Sequence, residues 1–365
     1  MKAIYNTFKP EETIDLGERL AYQLQGGDTV LLFGDLGSGK THFTKGIARG
    51  LGITETIKSP TFAYVNKYPI GSTAKRVHSE AGPQRSGSTI GNLYHYDLYR
   101  LNPGHDLSSL GYHETIEDER AINVVEWADR LAEGYPKKYV RIDFEARDET
   151  HKITIEFIDP EIVPENEIEN FFEEWSTPLH VRAHIKQVTN VAIQIAQNYI
   201  QKGEIINLNL LYSAAMMHDI ARICDFRTLD KDQFSEEIKD EAWEKWKEQR
   251  KKYGGQHHAD IAAKFFEDIG YPKTAKLVYI HKSRVIAEEP QSINSLEKKI
   301  MYYSDKRVKH DEIVDLKERF RDGWERYGKY DDPKTRKLFE KVEERTFELE
   351  KELFEGLGIG PEDIK

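Results

Sequence analysis

The run Thr29-Val30-Leu31-Leu32-Phe33-Gly34-Asp35-Leu36-Gly37-Ser38-Gly39-Lys40-Thr41 carries the strongest signal in this chain. Thr29 to Phe33 is β-branched and apolar, which predicts a short buried strand. Gly34 to Thr41 fits the G-x-x-x-x-G-K-[ST] spacing, in which a glycine-rich turn feeds a helix. The N–H groups of Gly37, Ser38 and Gly39 then face outward at a helix N-terminus and form an anion trap. Lys40 would reach the β and γ phosphates of a nucleotide, and the Thr41 hydroxyl would sit on the magnesium that bridges them. The alternative is a glycine-rich turn with no ligand, and it does not account for the strand before the turn and the helical pattern after it.

Upstream, the segment from Pro10 to Ala21 opens with Glu11 and Glu12, acids suited to a helix N-terminus. It spaces Ile14, Leu16, Leu20 and Leu24 roughly as on one face, and Gly26-Gly27-Asp28 stops it. Downstream, a helix from Lys40 to about Arg49 closes at Gly50 and Gly52. Ser59-Pro60-Thr61-Phe62 follows, with an extended backbone set by Pro60. It reads either as a plain strand entry, before the strand-like residues 63–68, or as a switch whose Ser59 and Thr61 hydroxyls sense the γ phosphate. Residues 69–92 have no periodicity and read as a mobile insertion between two strands. Strands at Leu93-Tyr94-His95-Tyr96-Asp97-Leu98-Tyr99-Arg100 and Ala121-Ile122-Asn123-Val124-Val125-Glu126-Trp127 each carry an acid near the C-terminal end. Asp97 and Glu126 are either solvated strand ends or carboxylates that rigid strands bring to magnesium and phosphate, and a phosphate loop in the same chain favours the second reading.

The series Glu12-Thr13, Gly34 to Thr41, Ser59 to Phe62, His95 to Arg100 and Glu126-Trp127 runs in order over about the first 158 residues and closely resembles the TsaE family. The resemblance implies a small α/β phosphate-loop ATPase with a mostly parallel central sheet, supporting threonylcarbamoylation of the adenosine beside the anticodon of transfer RNA. It implies ATP with Mg2+ as cofactor, with Lys40 and Thr41 on phosphate and magnesium, Thr61 at the switch and Glu126 as a magnesium ligand. Asp97 would polarise the attacking water or its metal, and Trp127 would sit beside the nucleotide. The implied partners are a TsaD-like carbamoyltransferase subunit and a TsaB-like scaffold, with tRNA met only indirectly. The departures are Ser38, where alanine is more usual, and the insertion.

Asp159-Pro160-Glu161-Ile162-Val163-Pro164-Glu165-Asn166-Glu167 is acidic, holds two prolines and shows no apolar face, so residues 161–177 read as a linker between a first domain at 1–160 and a second at 178–365. The second half reads as all-α. One stripe of the helix from Pro178 to Gln201 holds His184, Val188, Val191, Ala192, Ile195 and Tyr199. A second apolar helix ends in Met216-Met217-His218-Asp219, His258 shares a face with Ala262 and Phe265, His281 closes an apolar run, and Asp305 falls one turn after Met301. A lone histidine on an apolar stripe is usually a satisfied core residue. Five helices that each aim an ionisable group inward are different, because a shared metal compensates the burial of all of them. Imidazole and carboxylate ligands suit Mn, Fe, Zn, Co or Mg.

His184, His218-Asp219, His258, His281 and Asp305 resemble the HD-domain phosphohydrolase superfamily over roughly residues 176–310. The resemblance implies one divalent metal on His184, His218, Asp219 and Asp305, with Asp219 also catalytic. It implies a second metal, or phosphate, on His258 and His281, and a nucleotide or other phosphate ester as substrate. His180, His257 and His310-Asp311 lack the accompanying apolar spacing, and His310-Asp311 reads as surface. Trp243 and Trp246 read as inward residues of an amphipathic surface helix.

The 365 residues suffice for two domains. Formal charge is 19 basic against 23 acidic residues up to Asp159 and 34 against 41 thereafter, −4 and −7, which sum to −11. Neither half has the basic excess of an autonomous nucleic-acid binder. One cysteine, Cys224, excludes an internal disulfide, and no apolar run suits a membrane span, so a reduced, cytoplasmic protein is expected. The combined expectation is an accessory ATPase of tRNA modification fused to a metal-dependent phosphohydrolase. The rivals are a small-molecule phosphate-loop kinase and an ATP-switched scaffold whose second half is non-catalytic.

Overall fold

The computed structural model describes every residue except 61–62, 72–89, 103–106, 132–133, 148–149, 235 and 328–331. The chain forms two compact units, Met1–Asp159 with Tyr199–Asn207, and Pro160–Asn198 with Leu208–Lys365.

The first unit is built on seven strands: β1 (Ala3–Thr7), β2 (Thr29–Gly34), β3 (Val65–Pro69), β4 (Asn92–Asp97), β5 (Ala121–Glu126), β6 (Tyr139–Arg147) and β7 (Thr150–Ile158). Their order is β1-β7-β6-β2-β5-β4-β3. The central strands β6, β2, β5 and β4 run parallel, and the antiparallel pairs lie at the edges. The centre is parallel because β2 and β5 are apolar on both faces; every β5 residue is buried. Helices α1 (Pro10–Ala21), α2 (Lys40–Gly50) and α3 (Tyr112–Glu117) complete the unit. Helices α1 and α2 pack without intervening side chains where Gly17 and Gly46 meet: a Cβ on Gly46 would stand 2.0 Å from the Ile14 carbonyl oxygen. In β3 and β4, Pro69 pairs with Asn92, so these strands bracket the insertion, whose residues 72–89 lie outside the described set. The ends of β2, β4 and β5 deliver Gly34, Asp97 and Glu126 to one rim of the sheet, as doubly wound folds do.

The second unit is helical: α4 (Ile168–Trp175), α5 (Leu179–Gln201), α6 (Leu208–Met217), α7 (Asp240–Tyr253), α8 (His258–Asp268), α9 (Pro272–Ile280), α10 (Val285–Glu288), α11 (Leu296–Lys306), α12 (Leu316–Tyr327) and α13 (Pro333–Phe354). Two findings correct the expectations. Residues 161–177 are not a linker, because α4 sits in this stretch and buries Ile168, Phe171, Phe172 and Trp175. Their i, i+3, i+4, i+7 spacing is a helical apolar face, and Phe171 meets Phe266 edge to face at 5.5 Å. The boundary between the two units falls instead at Asp159 and Pro160, so this stretch belongs to the second unit. Nor is the unit wholly helical, since β8 (Val308–Lys309) and β9 (Glu312–Ile313) form a small hairpin turning through His310, which has φ of 58°. Of the two tryptophans expected to face inward, Trp246 is buried and Trp243 is half-buried; Cys224 is buried.

Among the described residues, no helix is long and apolar enough to cross a membrane.

Candidate functional site

In the first unit, Gly37 and Gly39 have φ of 79° and 106°, values that side chains disfavour, and they turn the chain from β2 into α2. His151 of β7 braces this loop, with its Nδ1 2.8 Å from the Ser38 carbonyl oxygen. Lys40 lies inside the loop and donates to the carbonyls of Gly34 (2.6 Å) and Asp35 (2.7 Å). Its ammonium also stands 3.9 Å over the ring of Trp127. Burial lowers the Lys40 pKa, and the carboxylates of Glu126 and Asp97 pull against that shift. Trp127 has φ of 60°, and its ring packs on Tyr99 at 4.8 Å.

Glu126, at the end of β5, is only 2% exposed, so it is no solvated strand end. Its Oε2 accepts from the Thr41 hydroxyl (2.9 Å), and its Oε1 from Thr44 (3.1 Å) and from His95 Nε2 (2.8 Å). Burial pushes the Glu126 carboxyl up, and the His95 bond and charge with the two hydroxyls outweigh it, holding the pKa below its ordinary value. Asp97 lies beside Glu126 in the β4–β5 register, bonded to the Ser59 hydroxyl and to the Tyr99 N–H (3.1 Å). Lys40, Thr41, Glu126 and Trp127 thus meet, with Asp97 on the adjoining strand, whereas Thr61 lies outside the described residues. The Thr41 hydroxyl beside a buried carboxylate is an all-oxygen donor set that suits a hard cation such as Mg2+. His95 had no place in the expected site, although it alternates with Asp97 along one strand.

In the second unit, five elements bring His184, His218, Asp219, His258, His281 and Asp305 together. Asp219 Oδ2 faces His184 (3.8 Å) and His218 (4.0 Å), and Oδ1 faces His258 (2.9 Å) and His281 (3.4 Å). Asp305 Oδ1 lies 3.3 Å from His184 and 3.7 Å from His218. The far nitrogens are all engaged: Nδ1 of His184 donates to the His310 carbonyl (2.7 Å), that of His218 to Ala215 (2.8 Å) and that of His281 to Val278 (2.5 Å), while that of His258 stands between the Asp225 carboxylate (2.6 Å) and the Arg222 guanidinium (2.8 Å). The Nε2 atoms of His184 and His218 thus face both Asp219 and Asp305, and those of His258 and His281 face Asp219. Among the described residues His218 Nε2 is buried without a hydrogen-bond partner, and the Nε2 atoms of His258 and His281 face each other at 2.9 Å. The mixed N/O chemistry of this set fits a divalent transition metal. Burial lowers His218 to about 4, so its imidazole is neutral at pH 7. Burial would raise Asp219, but the imidazoles of His258 and His218 hold it well below the usual carboxylate range.

Three contributors here were not legible beforehand. Asp225 orients His258, and Lys306 donates to the His281 carbonyl (2.7 Å) and to Asp305. The third is the backbone carbonyl of His310, whose side chain was expected to be mere surface and is indeed exposed.

A central parallel sheet with a glycine-rich loop at the end of β2, a lysine in the loop and a carboxylate on the neighbouring strand defines a phosphate-loop nucleotide-binding protein in the first unit. The family model described as threonylcarbamoyl adenosine biosynthesis protein TsaE matches residues 7–154. The TsaE of Nostoc sp. is 38% identical over 135 residues, which span 36% of this chain and 71% of that protein. The TsaE of Bacillus subtilis is 34% identical over 151 residues, 41% of this chain and 82% of that protein. The chain belongs, through this region, to the TsaE family. A crystal structure of Bacillus subtilis YdiB is also similar, at 30% identity over 44% of this chain and 87% of that one, with a TM-score of 0.33.

Proposed function

We propose that the first unit hydrolyses ATP with Mg2+ in support of tRNA threonylcarbamoyladenosine formation, and that the second is a metal-dependent phosphohydrolase of the HD type. For the first unit the carrying observation is the Thr41–Glu126 pair behind the glycine-rich loop. Lys40 would leave its loop carbonyls for the β and γ phosphates, Gly37 to Gly39 would present their N–H groups, and Thr41 and Glu126 would hold Mg2+. Asp97 orients the water that attacks the γ phosphorus as ADP departs, and Trp127 flanks the nucleotide. The magnesium supplies charge neutralisation of the phosphates. Thr61 would act as the γ-phosphate switch. The relatives are named for tRNA threonylcarbamoyladenosine biosynthesis, which supports work alongside TsaD-like and TsaB-like partners, with tRNA reached through them.

For the second unit the carrying observation is the convergence of four imidazoles on Asp219 and Asp305. His184, His218, Asp219 and Asp305 would hold one divalent ion, and His258 and His281 a second ion or phosphate. A bound ion supplies an acidified water for attack on a phosphate ester. Asp219, between the two histidine pairs, would orient that water as the alcohol of the ester departs from phosphorus.

In the full chain, Lys40→Ala lowers ATP hydrolysis by about 100-fold or more and spares Mn2+-dependent cleavage of p-nitrophenyl phosphate, while Asp219→Asn does the reverse. Chelation removes the second activity and Mn2+ restores it. Phosphate passed from ATP to a metabolite instead of water would establish a kinase, and an Asp219→Asn variant with unchanged hydrolysis would establish a scaffold.

A further inference from the structure

His95 is wholly buried in the centre of β4, where an apolar side chain would pack at lower cost. One ring nitrogen, Nε2, lies 2.8 Å from Glu126 Oε1, and the other, Nδ1, has no hydrogen-bond partner among the described residues. A buried imidazole left half satisfied is a standing penalty, so the bond it does make needs a purpose. Among the described residues Glu126 Oε1 has one other hydrogen-bond partner, the Thr44 hydroxyl at 3.1 Å, and that hydroxyl is equally close to the Lys40 carbonyl at 3.1 Å. A hydroxyl has one proton to give, so His95 is the one donor committed to Oε1. The remaining oxygen, Oε2, faces Thr41.

The geometry points to His95 as a positioning residue: it holds Glu126 by one carboxylate oxygen so that the other is presented beside Thr41 to the magnesium of the nucleotide complex. This inference rests on the reading of Glu126 as a magnesium ligand. Outer-shell partners of ligating carboxylates act in this way, by fixing which oxygen is offered and in which direction. Thr44 alone would leave the carboxylate free to rotate whenever its hydroxyl turned to the backbone of α2.

The test is the binding of mant-ADP to the full chain, followed by fluorescence with and without Mg2+. For His95→Phe the Mg2+ concentration at half effect rises about tenfold or more, while Mg2+-free mant-ADP affinity stays within about twofold, because the loop amides are untouched. His95→Gln, whose amide can still donate to Oε1, recovers most of the loss; a purely space-filling role would not be rescued this way. His95→Leu takes the place of His95→Phe should that variant fail to fold. A wild-type Mg2+ dependence in Glu126→Gln would remove the magnesium-ligand reading, and the positioning role with it. Lost dependence in Glu126→Gln with wild-type dependence in His95→Phe, or no rescue by His95→Gln, would remove the positioning role alone.

Discussion

At the level of single residues, local environment decides what each titratable group does. Cys224 is buried beside Asp225, and burial with that neighbouring charge pushes its thiol up to about 12. Reactivity belongs to the thiolate, so Cys224 stays protonated well above the usual thiol range. The expected outcome is that the native protein does not react with a disulfide reagent at pH 8 and takes up one equivalent once unfolded in guanidinium; rapid native labelling would contradict the environment described. Asp225 is held down to about 2, against its own burial, by its bond to His258. A carboxyl depressed in the folded state adds stability above its unfolded pKa of about 3.9 and loses it as pH falls toward 2. Asp225→Asn should therefore narrow the stability difference between pH 6 and pH 3 in metal-free protein, as read by urea titration at the two values.

Among elements, α4 separates packing from appearance. Phe172 is 1% exposed and Phe8 is 63% exposed, though both are phenylalanines in stretches rich in acids. Phe172→Ala should cost about 3–5 kcal/mol in chemical denaturation, and Phe8→Ala less than about 0.5 kcal/mol. Equal effects would mean that residues 161–177 do behave as a linker. Strand β5 makes the opposite point. It is buried throughout and ends on Glu126, so one apolar run both anchors the sheet and carries the carboxylate to the phosphate loop.

On the scale of the whole molecule, neither half of the chain has a basic excess. Residues 1–159 sum to 19 − 23 = −4 and the remainder to 34 − 41 = −7. Phosphate contacts dominate affinity for nucleic acid, so the isolated chain should retain little tRNA on a filter at about 0.15 M salt. Submicromolar retention without partner proteins would contradict contact through partners.

The phosphate loop, the order of motifs through Trp127 and the list of inward-facing histidines were all readable from residue types and spacing. These signals are local: a strand, a turn and a helix N-terminus are set by neighbours in the chain, and an apolar stripe follows helical periodicity. The apolar spacing of α4 was present in the sequence and passed over, whereas the bond from His95 to Glu126 and the service of Asp225, Lys306 and the His310 carbonyl to the histidine cluster were not readable. Each joins residues distant in the chain, or uses a backbone atom that carries no residue identity. Burial by the rest of the fold decides which of many possible pairs form, because an unpaired polar group is tolerated in water and penalised only once water is excluded.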